Sequence, residues 1–107
     1  MSFNFEQLNG FGILKLYGDY TARNAASVIK AFFVGLDNSE HLIMDFKEVS
    51  KIDGFFIDQF YSLKNISRRL KKKLTIINFH PAIFDKKEEQ PEQQEHYKEK
   101  LSLLSMM

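Results

Sequence analysis

Chemistry in this chain has to come from carboxylates, hydroxyls and three histidines, His41, His80 and His96, because the 107 residues include no cysteine. A disulfide framework, a thiol nucleophile and any Cys-ligated zinc or iron–sulfur site are thereby excluded. The histidines show no paired metal-ligand spacing, and His80 stands directly before Pro81, where it borders a strand end. No metal and no cofactor is assigned. Asp53 and Asp58 lie five apart, which does not put them on one helix face, and no nucleophile stands beside a base. The chain therefore reads as a protein without catalytic activity. Lys64, Arg68, Arg69, Lys71, Lys72 and Lys73 form a basic run with no acid inside it, at the end of a predicted helix where cations complement the macrodipole. With 15 basic and 14 acidic side chains and a net charge of +1, the balance does not describe a binder of polyanions. No nucleic-acid partner is expected.

The elements that position these groups follow from periodicity. Phe3 and Phe5 alternate with polar neighbours, Asn9-Gly10 suits a type I′ turn, and Phe11 to Tyr17 is strand-like, so the chain opens on a hairpin. From Thr21 to Leu36, the residues Ala25, Val28, Ile29, Phe32, Phe33 and Leu36 recur at helical spacing. Residues 42–46 and 74–79 are short, nearly continuous apolar runs, as expected of central parallel strands covered on both faces. Phe56, Phe60, Leu63 and Leu70 between them fit a crossover helix, and Pro81 opens a third short helix carrying Ile83 and Phe84. Hairpin followed by β-α-β-α-β-α predicts a single α/β domain with a mixed, mostly parallel four-stranded sheet and helices packed on it.

Residues 85–100 carry ten charged side chains and cannot supply core. The expected organisation is residues 1–84 as the compact part, with residues 85–107 as a charged connector and a C-terminal amphipathic helix of the same domain. That helix is predicted from about residue 91 to 105, started by Pro91 and seamed by Tyr97, Leu101 and Leu104. The seam offers a route to a homodimer. Neither a basic-then-apolar leader nor an apolar stretch near the ~18 residues of a span is present, so a soluble, cytoplasmic protein without membrane insertion is expected.

In a sheet of this kind, ligands and partners are met where loops leave the carboxyl ends of parallel strands. Three segments qualify: residues 18–21, 47–53 and 79–81. In the middle one, Asp53 is placed to cap the second helix by accepting from the amide of Phe55 or Phe56, and Ile52 and Ile57 fall at the two positions of a hydrophobic staple. Thr21 is expected to cap the first helix. With Phe60 at the centre of the buried face, helical geometry puts Phe56 about 40° away and Phe55 about 140° away. Phe56 is then core, while Phe55 and Tyr61 face outward.

The run Leu42-Ile43-Met44-Asp45-Phe46-Lys47-Glu48-Val49-Ser50-Lys51-Ile52-Asp53 resembles the segment preceding the regulatory serine of STAS domains, the family of bacterial anti-sigma factor antagonists. Leu16-Tyr17-Gly18 is similar to that family's strand ending in glycine before the first helix, and residues 76–83 to its fourth strand running into a proline-started helix. The resemblance covers residues 3–84 in order. It implies a STAS-like fold and partner switching, in which the domain binds an anti-sigma factor, often a serine-kinase-like protein, until a phosphate on the serine after the capping aspartate breaks the contact. Here Gly54 stands at that serine position, Phe55 and Phe56 follow where the family has a second hydroxyl residue and a glycine, and Thr21 replaces a common aspartate. The fifth strand of the family is not recognisable beyond Phe84.

The expectation is a non-catalytic partner-binding module of bacterial signalling that works without the usual phosphorylation. Its contact surface comprises Asp53, Gly54, Phe55, Thr21 and Ser50, with Gly54 admitting a partner's backbone. Ser50, the nearest hydroxyl to the vacant position, is an alternative phosphosite. The alternative role is structural, as a small cytoplasmic STAS subunit of an ABC transporter or of a larger signalling assembly.

Overall fold

The computed structural model describes residues 2–84 and 99–104. Asn9 and Gly10 both take positive φ, 49° and 86°, the backbone of a type I′ turn. The turn joins β1 (Ser2–Leu8) to β2 (Phe11–Tyr20) in an antiparallel hairpin. A 3-10 turn at Ala22–Asn24 leads into α1 (Ala25–Asp37), followed by β3 (His41–Ile52), α2 (Gly54–Arg69), β4 (Lys73–Ile77) and a second 3-10 turn at Pro81–Ile83. β2, β3 and β4 are parallel and the sheet order is β1-β2-β3-β4. This is the expected single α/β domain with a mixed four-stranded sheet.

Each crossover advances the sheet by one strand in the same direction, and right-handed connections then set both helices on one side. That side holds the core. Leu14, Leu16, Leu42, Met44, Phe46 and Ile76 alternate inward from the strands and meet Ala31, Phe32 and Leu36 of α1 and Phe56, Ile57, Phe60 and Leu63 of α2. Phe56 is the hub, with the rings of Tyr20, Phe32 and Phe46 edge-on at 6.2, 5.5 and 5.7 Å and Phe60 stacked at 6.4 Å. Edge-to-face contacts add stabilisation beyond area burial. A Cβ on Gly35 would lie 2.9 Å from a Leu42 methyl, so glycine there sets how closely α1 approaches β3.

Several expectations need correcting. The strands are not covered on both faces: because both helices share one side, the opposite face leaves Phe11 45% and Ile77 39% exposed. For the same reason Ile29 and Phe33 of the first helical stripe are exposed, α1 having a helical neighbour on one flank and the sheet below. Pro81 starts only a 3-10 turn. β3 continues to Ile52 instead of ending at Phe46, carried by its ladder with β2 through register shifts around Tyr17 and Gly18, where Gly18 takes a φ of +87°. β4 stops at Ile77 as Asn78 turns left-handed at φ +59°.

Residues 99–104 are helical, and Leu101 and Leu104 are buried in the same core as α2. The two leucines are therefore not free to form a dimer seam. Tyr97, Pro91, His96 and the rest of the charged connector lie outside the described residues. Tyr61 is not outward-facing either. It is half-buried against Phe60 at 5.7 Å and its hydroxyl donates to the Lys100 carbonyl at 3.0 Å.

Tyr20 ties the first strand to this core. Its ring is fully buried and its hydroxyl donates to the Ser2 carbonyl. Desolvation pushes its pKa up to about 12, outweighing a smaller opposing backbone hydrogen bond from Tyr17. The neutral phenol is favoured in the folded state, so its contribution is complete below pH 10 and is lost as pH rises towards 12. Urea unfolding followed between pH 9 and 12 should show this loss, about 3 kcal/mol when complete. Tyr20→Phe should flatten the alkaline slope while leaving a smaller one from Tyr61, whose pKa is also raised by burial and by Glu99.

Candidate functional site

The carboxyl ends of β2 and β3 and the start of α2 form one rim. α2 begins where it does because Asp53, with extended backbone at φ −134°, turns its carboxylate back onto the helix. Oδ1 accepts from the Phe56 amide at 3.1 Å, and the Asp53 carbonyl accepts from Ile57 at 3.2 Å. Ile52 and Ile57 on either side are both completely buried. The expected cap is therefore present, through Phe56.

The second carboxylate oxygen does something the local sequence does not announce. Oδ2 accepts from the Ala22 amide at 3.0 Å, joining the start of α2 to the connection between β2 and α1. One side chain thus fixes two of the three rim segments relative to each other. The third arrives through the main chain, because Phe84 makes an isolated parallel bridge to Ile52. His80 caps the turn before it, its Nδ1 accepting from Ala82 at 3.2 Å.

The other nominated residues are placed unequally. Phe55 is half-buried at the rim while Phe56 beside it is enclosed. Ser50 is exposed, but on strand β3 and not in a loop. Thr21 is only 8% exposed and is not the α1 cap. Asn24 holds that position without a side-chain cap bond, because the 3-10 turn separates Thr21 from the helix and uses its carbonyl to accept from the Asn24 amide at 2.9 Å. Gly54 is buried, so its own backbone is not the open approach expected for a partner. Of the nominated residues, Ser50 is exposed, Asp53 and Phe55 are half-buried, and Thr21 and Gly54 are buried.

Charge at the rim is mixed, with Lys51 and Asp19 paired at 3.9 Å. Asp45 is a structural acceptor, taking the Lys47 amide and Asn78 Nδ2, each at 2.9 Å. Among the described residues no group of three His, Cys, Asp or Glu is arranged to hold a metal, and no helix is long and apolar enough to cross a membrane. The basic run at the far end of α2 is partly engaged. Lys72 Nζ donates to the Leu36 carbonyl at the end of α1 at 2.6 Å, and Lys64 lies 5.5 Å from the Tyr61 ring centre. What the rim offers is a surface tied together by Asp53, with Phe55 and Phe79 half-buried at it.

The family model for the STAS domain matches residues 2–89. The chain belongs to the STAS domain family. No curated protein matches the sequence. Among solved structures, the fold of this STAS domain is similar to that of the anti-sigma factor antagonist SpoIIAA in its unphosphorylated form, at 10% identity and a TM-score of 0.62, covering 91% of this chain and 96% of that one. The Bacillus SpoIIAA in its phosphorylated form gives 11% and 0.62, covering 98% and 86%. An anti-sigma factor antagonist from Mycobacterium paratuberculosis gives 13% and 0.61, covering 92% and 77%. A protein described as Mglu is similar at 14% and 0.61 over 72% of this chain, which spans only 19% of that protein.

If Asp53 holds the rim together, Asp53→Ala should cost about 1–3 kcal/mol in urea unfolding, since it removes a helix cap and orphans a second amide. Asp53→Asn, which keeps one carbonyl oxygen, should cost less. Amide exchange should accelerate at both Phe56 and Ala22 in the alanine variant.

Proposed function

We propose that this STAS domain is a protein-binding module of bacterial signalling that acts like an anti-sigma factor antagonist and needs no serine phosphorylation at the start of α2. The observation that carries this reading is the helix start itself. Asp53 is followed by Gly54, Phe55 and Phe56, so the first turn of α2 offers no hydroxyl, and its accessible side chain is an aromatic. Phe55 supplies contact area, in keeping with the enrichment of aromatics among residues that dominate binding. Asp53 holds the surface rigid from beneath. The partner is an anti-sigma factor or a serine-kinase-like protein.

In the ordinary form of such a switch, a phosphate adds nearly two negative charges to a partly desolvated contact and breaks it. A domain without that acceptor is competent at all times, or is controlled elsewhere. Ser50 is the alternative acceptor, being exposed on β3 three residues before Asp53.

Capture from native lysate, with wild type and Phe55→Ala in parallel, tests the reading. Wild type should retain an anti-sigma factor or kinase-like protein, and Phe55→Ala should retain at least tenfold less, a change of about 1.4 kcal/mol, at unchanged thermal stability. Added ATP should leave wild-type capture intact, with no phosphate on the recovered chain by intact mass. A phosphate mapped to Ser50 would move control there. Recovery of a permease or transport ATPase would replace signalling by the structural role. Gly54→Ser should make capture ATP-sensitive when the partner is an active kinase.

A further inference from the structure

We propose that the face of the sheet opposite α1 and α2 is a self-association surface, on which two copies of this chain pack sheet to sheet. The strand register sets three pairs of neighbours across the middle of that face: Phe11 beside His41, Ile13 beside Ile43, and Lys15 beside Asp45. Phe11 and His41 already touch, with ring centres 5.1 Å apart. Leu8, 65% exposed, and Ile77 flank them on β1 and β4. The face is thus mixed: Ile13 and Ile43 are apolar at its middle, Lys15 and Asp45 bring opposite charges beside them, and the edge strands carry Asn4, Glu6, Lys73 and Thr75 as well as Leu8 and Ile77.

The occupant follows from the charges. Lys15 and Asp45 stand side by side, yet the Lys15 ammonium leans over the Tyr17 ring at 5.8 Å, while Asp45 is oriented by the Lys47 amide and Asn78. A partner surface of one sign would attract one of these groups and repel the other. A second copy related by a two-fold axis lying between the sheets, parallel to the strands and midway between β2 and β3, meets both. That rotation lays β2 of one copy over β3 of the other. Ile13 then faces the second copy's Ile43, Lys15 faces its Asp45 and Phe11 faces its His41, each contact occurring twice as an isologous interface requires. Face-to-face sheets pack with strands within about 30° of alignment, which this axis permits.

Size sets the affinity. Three strands presenting seven residues and β4 presenting its five, at about 3.3 Å per residue and about 4.8 Å between strands, give a footprint of roughly 410 Å² per copy. That is the range in which exposed patches become functional and the small end for a specific interface. The two footprints together fall below the ~1,000 Å² of a stable interface, so the dimer is a weak, transient one. The rim around Phe55 is not part of this face, so the inference stands apart from the proposed partner contact.

Sedimentation equilibrium of the full chain from low to high micromolar concentration should show mass rising from the 12.6 kDa monomer towards twice that value. Ile13→Glu and Lys15→Glu, both on the open face, should each weaken association at least tenfold with far-UV dichroism unchanged. Asp45→Lys should be monomeric alone, and mixing it with Lys15→Glu should restore a heterodimer, since each charge then meets its opposite. Wild type that remains monomeric throughout overturns the proposal. So does a dimer that neither Ile13→Glu nor Lys15→Glu weakens, because its interface must then lie elsewhere.

Discussion

The Asp53 carboxylate is shared between two backbone amides that belong to different layers of the sequence, those of Phe56 and Ala22. An unpaired amide beside a helix start is costly to leave without an acceptor, and here one side chain satisfies two of them. The position of α2 is thereby tied to the turn that begins α1. With both helices indexed to the same carboxylate, the aromatic core between them, centred on Phe56, is closed from the rim side.

How much of this could be read from the sequence depended on the range of each interaction. Asn9-Gly10 announced its turn because the required backbone is local to two residues. The cap of α2 was legible for a similar reason: the acceptor and its amide are three positions apart. The bond from Asp53 to Ala22 was not, since it spans 31 residues and an amide hydrogen carries no side-chain signature. Phe56 is enclosed and Phe55 only half-buried because a helix rotates by a fixed angle per residue, though Phe55, like Tyr61, is less open than an outward placement implies.

The errors share a cause. Ile29 and Phe33 look like core in periodicity, and only the packing of both crossovers on one side of the sheet decides that they are not. Strand β3 reads as ending at Phe46 because Lys47, Glu48, Ser50 and Lys51 interrupt the apolar run, whereas pairing of Glu48, Val49, Lys51 and Ile52 with β2, across register shifts that skip Lys47 and Ser50, keeps the strand going. Thr21 has the right chemistry for a cap, but a short 3-10 turn intervenes and hands the position to Asn24. Leu101 and Leu104 show the converse, an apolar pair whose seam is satisfied within its own chain.

The single rung between Ile52 and Phe84 has a practical corollary. The main chain leaves the last described contact of the sheet next to the start of α2, while the Asn9-Gly10 bend lies at the opposite pole of β2. A fluorophore or affinity handle inserted at the hairpin bend would therefore report from the far end and leave the proposed contact around Phe55 unobstructed.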